Sequence, residues 1–364
     1  MKKIILVLLL LFVLAAFFAA CGNSTPTTSG AGTTETTAAI TTKDPYAAKY
    51  EEAFALIKQG DSAAAYRIFE ELGDYRDAKE QLSFFRYVPT KSVSQDHAYG
   101  NTTQVDFLYN SKNLPVKETY LHNGSNLYVF EYAYDARGNL TEWTQYMSAY
   151  DQVSAVLYLY DDNGRISHTK LMSETGPFTY GDYTYDANGN LSEIVYTEVS
   201  DGDDYVYRAT YLYHANGNLT KSFYTDKDGV ESQVYEYYYD SNGYLVKETF
   251  AMTGDSVDTV IEYSYNANGD LIQTVYNRDT EDQLILDYTY DADRRPIQKV
   301  RTDAVGQKTV YDYTYDDVGN LIKTTTSRSG TVTETESYEY KFVYFPYTVS
   351  EQIESIIDVS QHIQ

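Results

Sequence analysis

Residues 132–140 read Tyr132-Ala-Tyr134-Asp135-Ala-Arg-Gly138-Asn139-Leu140, and residues 183–191 repeat the phrase as Tyr183-Thr-Tyr185-Asp186-Ala-Asn-Gly189-Asn190-Leu191. Variants start at Tyr158, Tyr211, Tyr237, Tyr263, Tyr288 and Tyr313, with degenerate copies at Phe107 and Tyr338. The second tyrosine of the phrase falls at 109, 134, 160, 185, 213, 239, 265, 290, 315 and 340. Spacing this regular marks a stack of one supersecondary unit, not an ordinary globular core.

Each unit reads as two strands and two turns. Tyr235, Tyr237 and Tyr239 fall on one face, while Glu131, Asp182, Glu262, Asp287 and Asp312 make the opposite face polar in their units. Alternation of aromatic and polar residues is the signature of a half-buried strand. The Asp-x-x-Gly that follows predicts a three-residue hairpin turn. Its Asp accepts a backbone N–H two residues on, and its Gly takes the left-handed conformation. The turn residues include Asp135, Gly138, Asp186, Gly189, Gly217, Asp240, Gly243, Gly269, Asp316 and Gly319. This register places Tyr134 opposite Leu140, Tyr132 opposite Glu142, and Tyr237 opposite Lys247. In the seventh unit Arg294-Arg295-Pro296 occupies the loop, which predicts a different turn there. The expected fold is mainly β: an antiparallel β-hairpin repeat array, elongated or spiralling, with a small N-terminal α-helical module and a short C-terminal helix.

Composition narrows the function classes. The 364 residues carry 41 tyrosines, one cysteine and a formal net charge of −25. So acidic a chain repels nucleic acid, whose recognition rests on Lys and Arg neutralising phosphates. One cysteine excludes a disulfide framework.

The N-terminus is an address. Lys2 and Lys3 precede an apolar run from Ile4 to Phe18, too short for a transmembrane helix and right for a signal peptide. Phe18-Ala19-Ala20-Cys21-Gly22 resembles the lipobox of bacterial lipoproteins, with Phe18 where Leu is usual. The resemblance implies a signal peptide over 1–20 and a diacylglyceryl group on Cys21. Two acyl chains anchor a protein stably to a membrane, here at the extracellular face of the bacterial cell membrane. Residues 21–44 then form a Thr/Ser-rich flexible tether. Residues 45–93 change to helical spacing and resemble one and a half tetratricopeptide-like units, expected to cap the neighbouring domain or dock a partner. The repeats occupy 94–345. In the capping segment 346–364, Ile353, Ile356, Ile357 and Ile363 share one helical face.

The Tyr-Asp units resemble the YD repeats of Rhs and wall-associated bacterial proteins and of animal teneurins; MORN-type repeats are the runner-up. The YD resemblance implies a long antiparallel β-strip that winds into a spiral or shell. Large Rhs members enclose a C-terminal toxin behind a self-cleaving core segment. Here the repeats stop near Tyr344 and no such segment is recognisable, so toxin delivery is not carried over.

Little else in the sequence points to chemistry. His97, His122, His168, His214 and His362 lie far apart, without metal-ligand spacing. The acids recur with the repeat, whereas a catalytic pair would break it, so neither an enzyme nor a cofactor is expected. Asp186, Asn188 and Asn190 superficially match a calcium loop but lack its sixth-position Gly and twelfth-position Glu. Most tyrosines are expected to be structural. Tyr132, Trp143, Tyr183, Tyr211, Tyr237 and Tyr263 are the candidates for contact with a ligand. The expected function is a membrane-anchored, non-catalytic binding module for a glycan or protein of the cell envelope. A structural stalk or adhesin spacer, and an immunity-type lipoprotein binding a basic toxin, are the alternatives.

Overall fold

The computed structural model describes residues 44–147, 152–173, 178–199, 204–252 and 257–347. The signal peptide, Cys21, the tether before Asp44 and the expected C-terminal helix lie outside the described residues. The chain divides into two compact units, residues 89–340 and residues 44–88 together with 341–347.

The smaller unit is built on helices α1 (Pro45–Gln59), α2 (Ser62–Leu72) and α3 (Ala78–Leu82). Gly60, at φ 86°, ends α1, and the Asp61 side chain caps α2 by accepting the Ala64 N–H at 3.0 Å. Ala53, Ala65, Phe69 and Ala78 are fully buried between the helices. Residues 341–347 complete this core: Phe342 stacks on Phe85 at 5.6 Å, and the Tyr344 hydroxyl donates to Gln81. The sequence places those residues at the end of the last repeat. Their alternation is that of a strand, and nothing local reveals that their rings pack with helices.

The larger unit is one antiparallel sheet. Its strands are β1 (Phe85–Asp96, of which 89–96 belong here), β2 (Thr102–Tyr109), β3 (Pro115–His122), β4 (Ser125–Tyr134) and β5 (Leu140–Met147). Then come β6 (Gln152–Tyr160), β7 (Ile166–Ser173), β8 (Phe178–Tyr185), β9 (Leu191–Val199) and β10 (Tyr205–Tyr213). They are followed by β11 (Leu219–Thr225), β12 (Glu231–Tyr239), β13 (Leu245–Ala251), β14 (Thr259–Tyr265) and β15 (Leu271–Tyr276). The last are β16 (Leu284–Tyr290), β17 (Pro296–Asp303), β18 (Lys308–Tyr315), β19 (Leu321–Arg328) and β20 (Thr331–Tyr344). The first strand thus starts at Phe85, inside the segment read as helical.

Consecutive strands pair, and β20 pairs back with β1. At this seam the His97 N–H donates to the Thr333 carbonyl at 2.8 Å, and the Ser94 hydroxyl donates to Glu334. The mainly β hairpin array is as expected, and of the elongated and shell-like forms the sheet takes the closed one. Closure leaves no free edge.

Closure also gives the sheet a concave face, and the tyrosines are on it. Tyr132 and Tyr158 are 8% and 4% exposed, while Leu108 and Leu159 on the other face are 58% and 62% exposed. Side chains on a concave face crowd over one another; those on a convex face splay apart. A ring of twenty strands is far wider than the eight that side chains alone can fill, so it encloses a lumen.

Candidate functional site: the inward tyrosine face

The turns come first, because they set the register of every ring. Asp135 N–H donates to the Asn139 carbonyl at 2.9 Å and Gly138 N–H to the Asp135 carbonyl at 3.2 Å, which is the expected three-residue loop. The Asp135 carboxylate accepts the N–H groups of Arg137 and Asn139 and the Asn139 side-chain amide, at 2.8 to 2.9 Å. Asp186 and Asp316 do the same. Partial burial pushes the Asp135 carboxyl up, but these hydrogen bonds outweigh it and hold it below the usual range. With its oxygens so engaged, Asp186 serves the hairpin and not a cation. Among the described residues, no group of acids, His or Cys could hold a metal ion.

The seventh unit has the same turn, contrary to expectation. Asp291 N–H donates to the Arg295 carbonyl and Arg294 N–H to the Asp291 carbonyl, at 2.9 and 3.1 Å. Arg294 takes the glycine's left-handed place at φ 64°. Its guanidinium reaches back to Asp270 of the preceding turn at 2.5 Å, an interaction glycine cannot make.

Behind each turn lies a bulge that alternation alone does not reveal. Tyr134 pairs with Leu140 as expected, but Ala133 pairs with Glu142, so Thr141 is an extra residue. Tyr132 therefore lies opposite Trp143 and not Glu142, and Tyr237 lies opposite Glu248 and not Lys247. The bulge turns both Leu140 and Trp143 inward, three residues apart. It recurs after every Tyr-Asp turn.

In eight of the ten units the second tyrosine has a backbone partner; among the described residues, no such bond joins Tyr213 or Tyr239. The β5–β6 ladder stops at Glu142 and Leu157, two residues short of Leu140, and the Tyr160 hydroxyl donates to the Leu140 carbonyl at 2.6 Å. The same bond joins Tyr109 to Pro89, Tyr134 to Pro115, Tyr185 to Ile166, Tyr265 to Leu245, Tyr290 to Leu271, Tyr315 to Pro296 and Tyr340 to Leu321. Each of these eight units is thus stitched to the one before it by a phenol that satisfies a carbonyl beyond the end of the ladder.

The first tyrosine reaches a side chain on the preceding strand. Tyr132 donates to Glu118 at 2.5 Å, Tyr263 donates to Glu248 at 3.0 Å, and Tyr237 lies 3.5 Å from the Ser222 hydroxyl. Burial pushes Glu248 above the usual carboxylate range, although the Tyr263 bond works the other way.

This combination of a Tyr-x-Tyr-Asp hairpin, a bulge and stitched tyrosines, repeated into a closed sheet, has a family. The sequence signature of the teneurin YD shell matches residues 76–308. The chain belongs to the teneurin YD-shell family. No curated protein sequence matches it. Among solved structures, it is similar to a TcdB2–TccC3–Cdc42 crystal structure, at 14% identity over 67% of this chain with a TM-score of 0.34. It spans only 15% of that chain's length. A porin-like protein from Bacteroides uniformis is similar at 11% identity, over 70% of this chain and 98% of its own, with a TM-score of 0.33. Superpositions this loose speak to neither partner nor activity.

The YD shell places the candidate ligand-contact aromatics unevenly. Tyr132, Trp143 and Tyr211 are 8%, 7% and 6% exposed, and Trp143 stacks on Phe130. These three are packing residues, because neighbouring rings cover them. Tyr183 is half-buried and packs between the two larger aromatic clusters. Tyr237 and Tyr263 are half-buried too, on an arc from β12 to β18 where most inward residues keep partial exposure. The shell is therefore tightly packed along β4–β11 and wetter along β12–β18. Sequence reading missed Glu118, Thr169 and Glu248, the inward residues facing the first tyrosines. Their signal was the position three after each post-turn Leu or Ile, or three after Pro115, visible only once the bulge is known.

Proposed function

We propose that this YD-shell protein is a lipid-anchored lipoprotein of the bacterial cell membrane, on the extracellular face. In this reading the shell is a non-catalytic module that binds an envelope glycan on its inner face. The observation that carries the reading is the β12–β18 arc, where Tyr237 and Tyr263 keep partly exposed rings on the inner face of the sheet. Rings of this kind stack on sugar faces with little loss of conformational freedom. The recurring acids and tyrosines bond one another, which suits a scaffold better than a reaction centre. Attachment through Cys21 also fits the outer face. Glu131, Asp182, Glu236, Glu262, Asp287 and Asp312 sit there at mid-strand, so no continuous apolar band is available to meet lipid.

Retention of the full-length protein on purified cell-wall polysaccharide tests the binding. The wild type is expected to be retained, and the Tyr237→Ala/Tyr263→Ala double variant to be released early while folding normally. Equal elution of both would reduce the shell to a spacer. Fatty-acid labelling that persists in Cys21→Ser would remove the anchor.

A further inference from the structure

We propose that the inner face of β17–β19 binds an anionic oligosaccharide, its charged groups held by Arg301 and Arg328 and a sugar ring lying on Tyr311. This rests on the glycan-binding reading and adds the charge and place of the ligand.

The strand lysines and arginines of the shell point outward, as Lys117, Lys221, Lys247 and Lys323 do opposite Leu108, Leu212, Tyr238 and Thr314. Among the described residues, three bases break the rule. Lys299 pairs with Tyr288 and Tyr311, Arg301 with Leu286 and Thr309, and Arg328 with Thr309, all on the tyrosine face. They occupy β17 and β19, either side of β18, in a chain whose net charge is −25. A departure from the repeat that is both charged and clustered is what a binding function leaves behind, since packing alone would keep the repeat.

The geometry forms a tray. Arg301, Thr309 and Arg328 lie on one row across three strands, so the two arginine backbones stand about 10 Å apart, two strand spacings. One step deeper, the Lys299 ammonium sits 5.3 Å from the centre of the Tyr311 ring. Buried Thr309 separates the two arginines on that row, and Leu286 pairs with Arg301 on its other side. Arg301 and Arg328 are exposed, so water and solutes reach this part of the lumen. Neither makes a hydrogen bond or ion pair among the described residues. Two acids of the adjoining segments have partners of their own: Glu334 accepts from Ser94, and Asp303 accepts the N–H groups of Val305 and Gln307. Burial also pushes the Lys299 ammonium below its ordinary value, a cost that a bound anion would offset. Guanidinium forks match carboxylate and phosphate oxygens, and a flat ring beside them suits the face of a sugar.

Calorimetric titration of the full-length protein separates the possibilities, with hexagalacturonate as the charged probe, maltohexaose as the neutral one and inorganic pyrophosphate as the bare anion. Hexagalacturonate is expected to bind best. Arg301→Gln and Arg328→Gln should each weaken it about tenfold, the usual worth of a single charge-assisted hydrogen bond. Tyr311→Leu should weaken hexagalacturonate but leave pyrophosphate unchanged. Both arginines are exposed, so an unchanged thermal melt is expected to confirm folding in those variants. Equal binding of maltohexaose and hexagalacturonate, insensitive to both arginine variants, overturns the anionic site while the glycan reading stands. Pyrophosphate binding as tightly as hexagalacturonate overturns the sugar. Absence of heat with either oligosaccharide overturns both readings together.

Discussion

Tyr160→Phe removes one oxygen and tests whether the units are stitched as the structure indicates. The Tyr160 hydroxyl donates to the Leu140 carbonyl at 2.6 Å, and Leu140 is only 3% exposed. Water cannot readily replace the phenol, so the variant leaves a buried acceptor unsatisfied, at a cost of about 1–3 kcal/mol. Burial, with a smaller contribution from the Asp135 charge, pushes the Tyr160 hydroxyl up to about 12, so it is protonated and donating throughout the usual working range. For a domain of this size about 2 kcal/mol corresponds to a fall of roughly 4–8 °C in Tm. Tyr238→Phe is the control: its hydroxyl meets Glu236 on the exposed outer face, and removing it should change stability by less than about 0.5 kcal/mol. Tyr290→Phe, which frees the Leu271 carbonyl far around the ring, should match Tyr160→Phe in direction, and the two effects should add within about 0.5 kcal/mol. Circular dichroism melts and denaturant midpoints at constant m-value supply the measurement. If Tyr160→Phe and Tyr238→Phe shift the midpoint equally, the stitching bond has no special weight and the reasoning fails.

Three further outcomes follow from single positions. A Cβ at Gly181 would stand 2.6 Å from the Thr169 hydroxyl oxygen and 3.5 Å from the Tyr196 ring, so Gly181→Ala should cost about 1–3 kcal/mol, with Thr169→Ala restoring most of it in a double-mutant cycle. Arg294, at φ 64°, should tolerate Gly better than Ala by about 1 kcal/mol, since neither can reach Asp270 but only Ala keeps the left-handed strain. Burial raises the inward tyrosines, Tyr160, Tyr213, Tyr235 and Tyr237 to about 12 and Tyr132 and Tyr211 further, above the unfolded value near 10. Their contribution is therefore intact below about pH 10 and lost as pH rises beyond it, so tyrosinate absorbance should appear together with unfolding; ionisation of most rings in a still-folded shell would contradict the burial.

Local chemistry made much of the fold legible. The Asp135 turn and the tyrosine face are decided by residues within a few positions of one another, and both stand as read. What escaped depends on distance along the chain. The ring closes where Ser94 meets Glu334, and β1 carries no copy of the repeat that would announce the pairing. The bulge at Thr141 escaped because strict alternation has no place for an extra residue, which is why Glu142 was expected where Trp143 lies. Phe342 and Tyr344 keep a strand's alternation while their partners, Phe85 and Gln81, come from elsewhere in the sequence. Arg294 shows the converse: the glycine is dispensable in a turn that Asp291 already holds.

The division of labour between the two tyrosines suggests where such an array stores its specificity. The second tyrosine bonds a backbone carbonyl, which every residue supplies, so its partner can be Leu, Ile or Pro, as at Leu140, Ile166 and Pro296. The first tyrosine instead faces a side chain across the bulge, and that slot is free to vary. It holds Glu118, Trp143, Thr169, Ile194, Ser222, Glu248, Thr274, Lys299 and Thr324 in turn around the ring, the first of them opposite Phe107 of the degenerate copy. Scaffold and ligand preference are thereby separated: the stitch keeps the strands in register whatever the slot carries. Along β4–β11 Trp143 and Ile194 fill their slots and are buried, while Lys299 stands on the wetter arc beside Arg301. Recognition inside this shell is best sought in that slot and its inward neighbours, not in the tyrosines that give the array its composition.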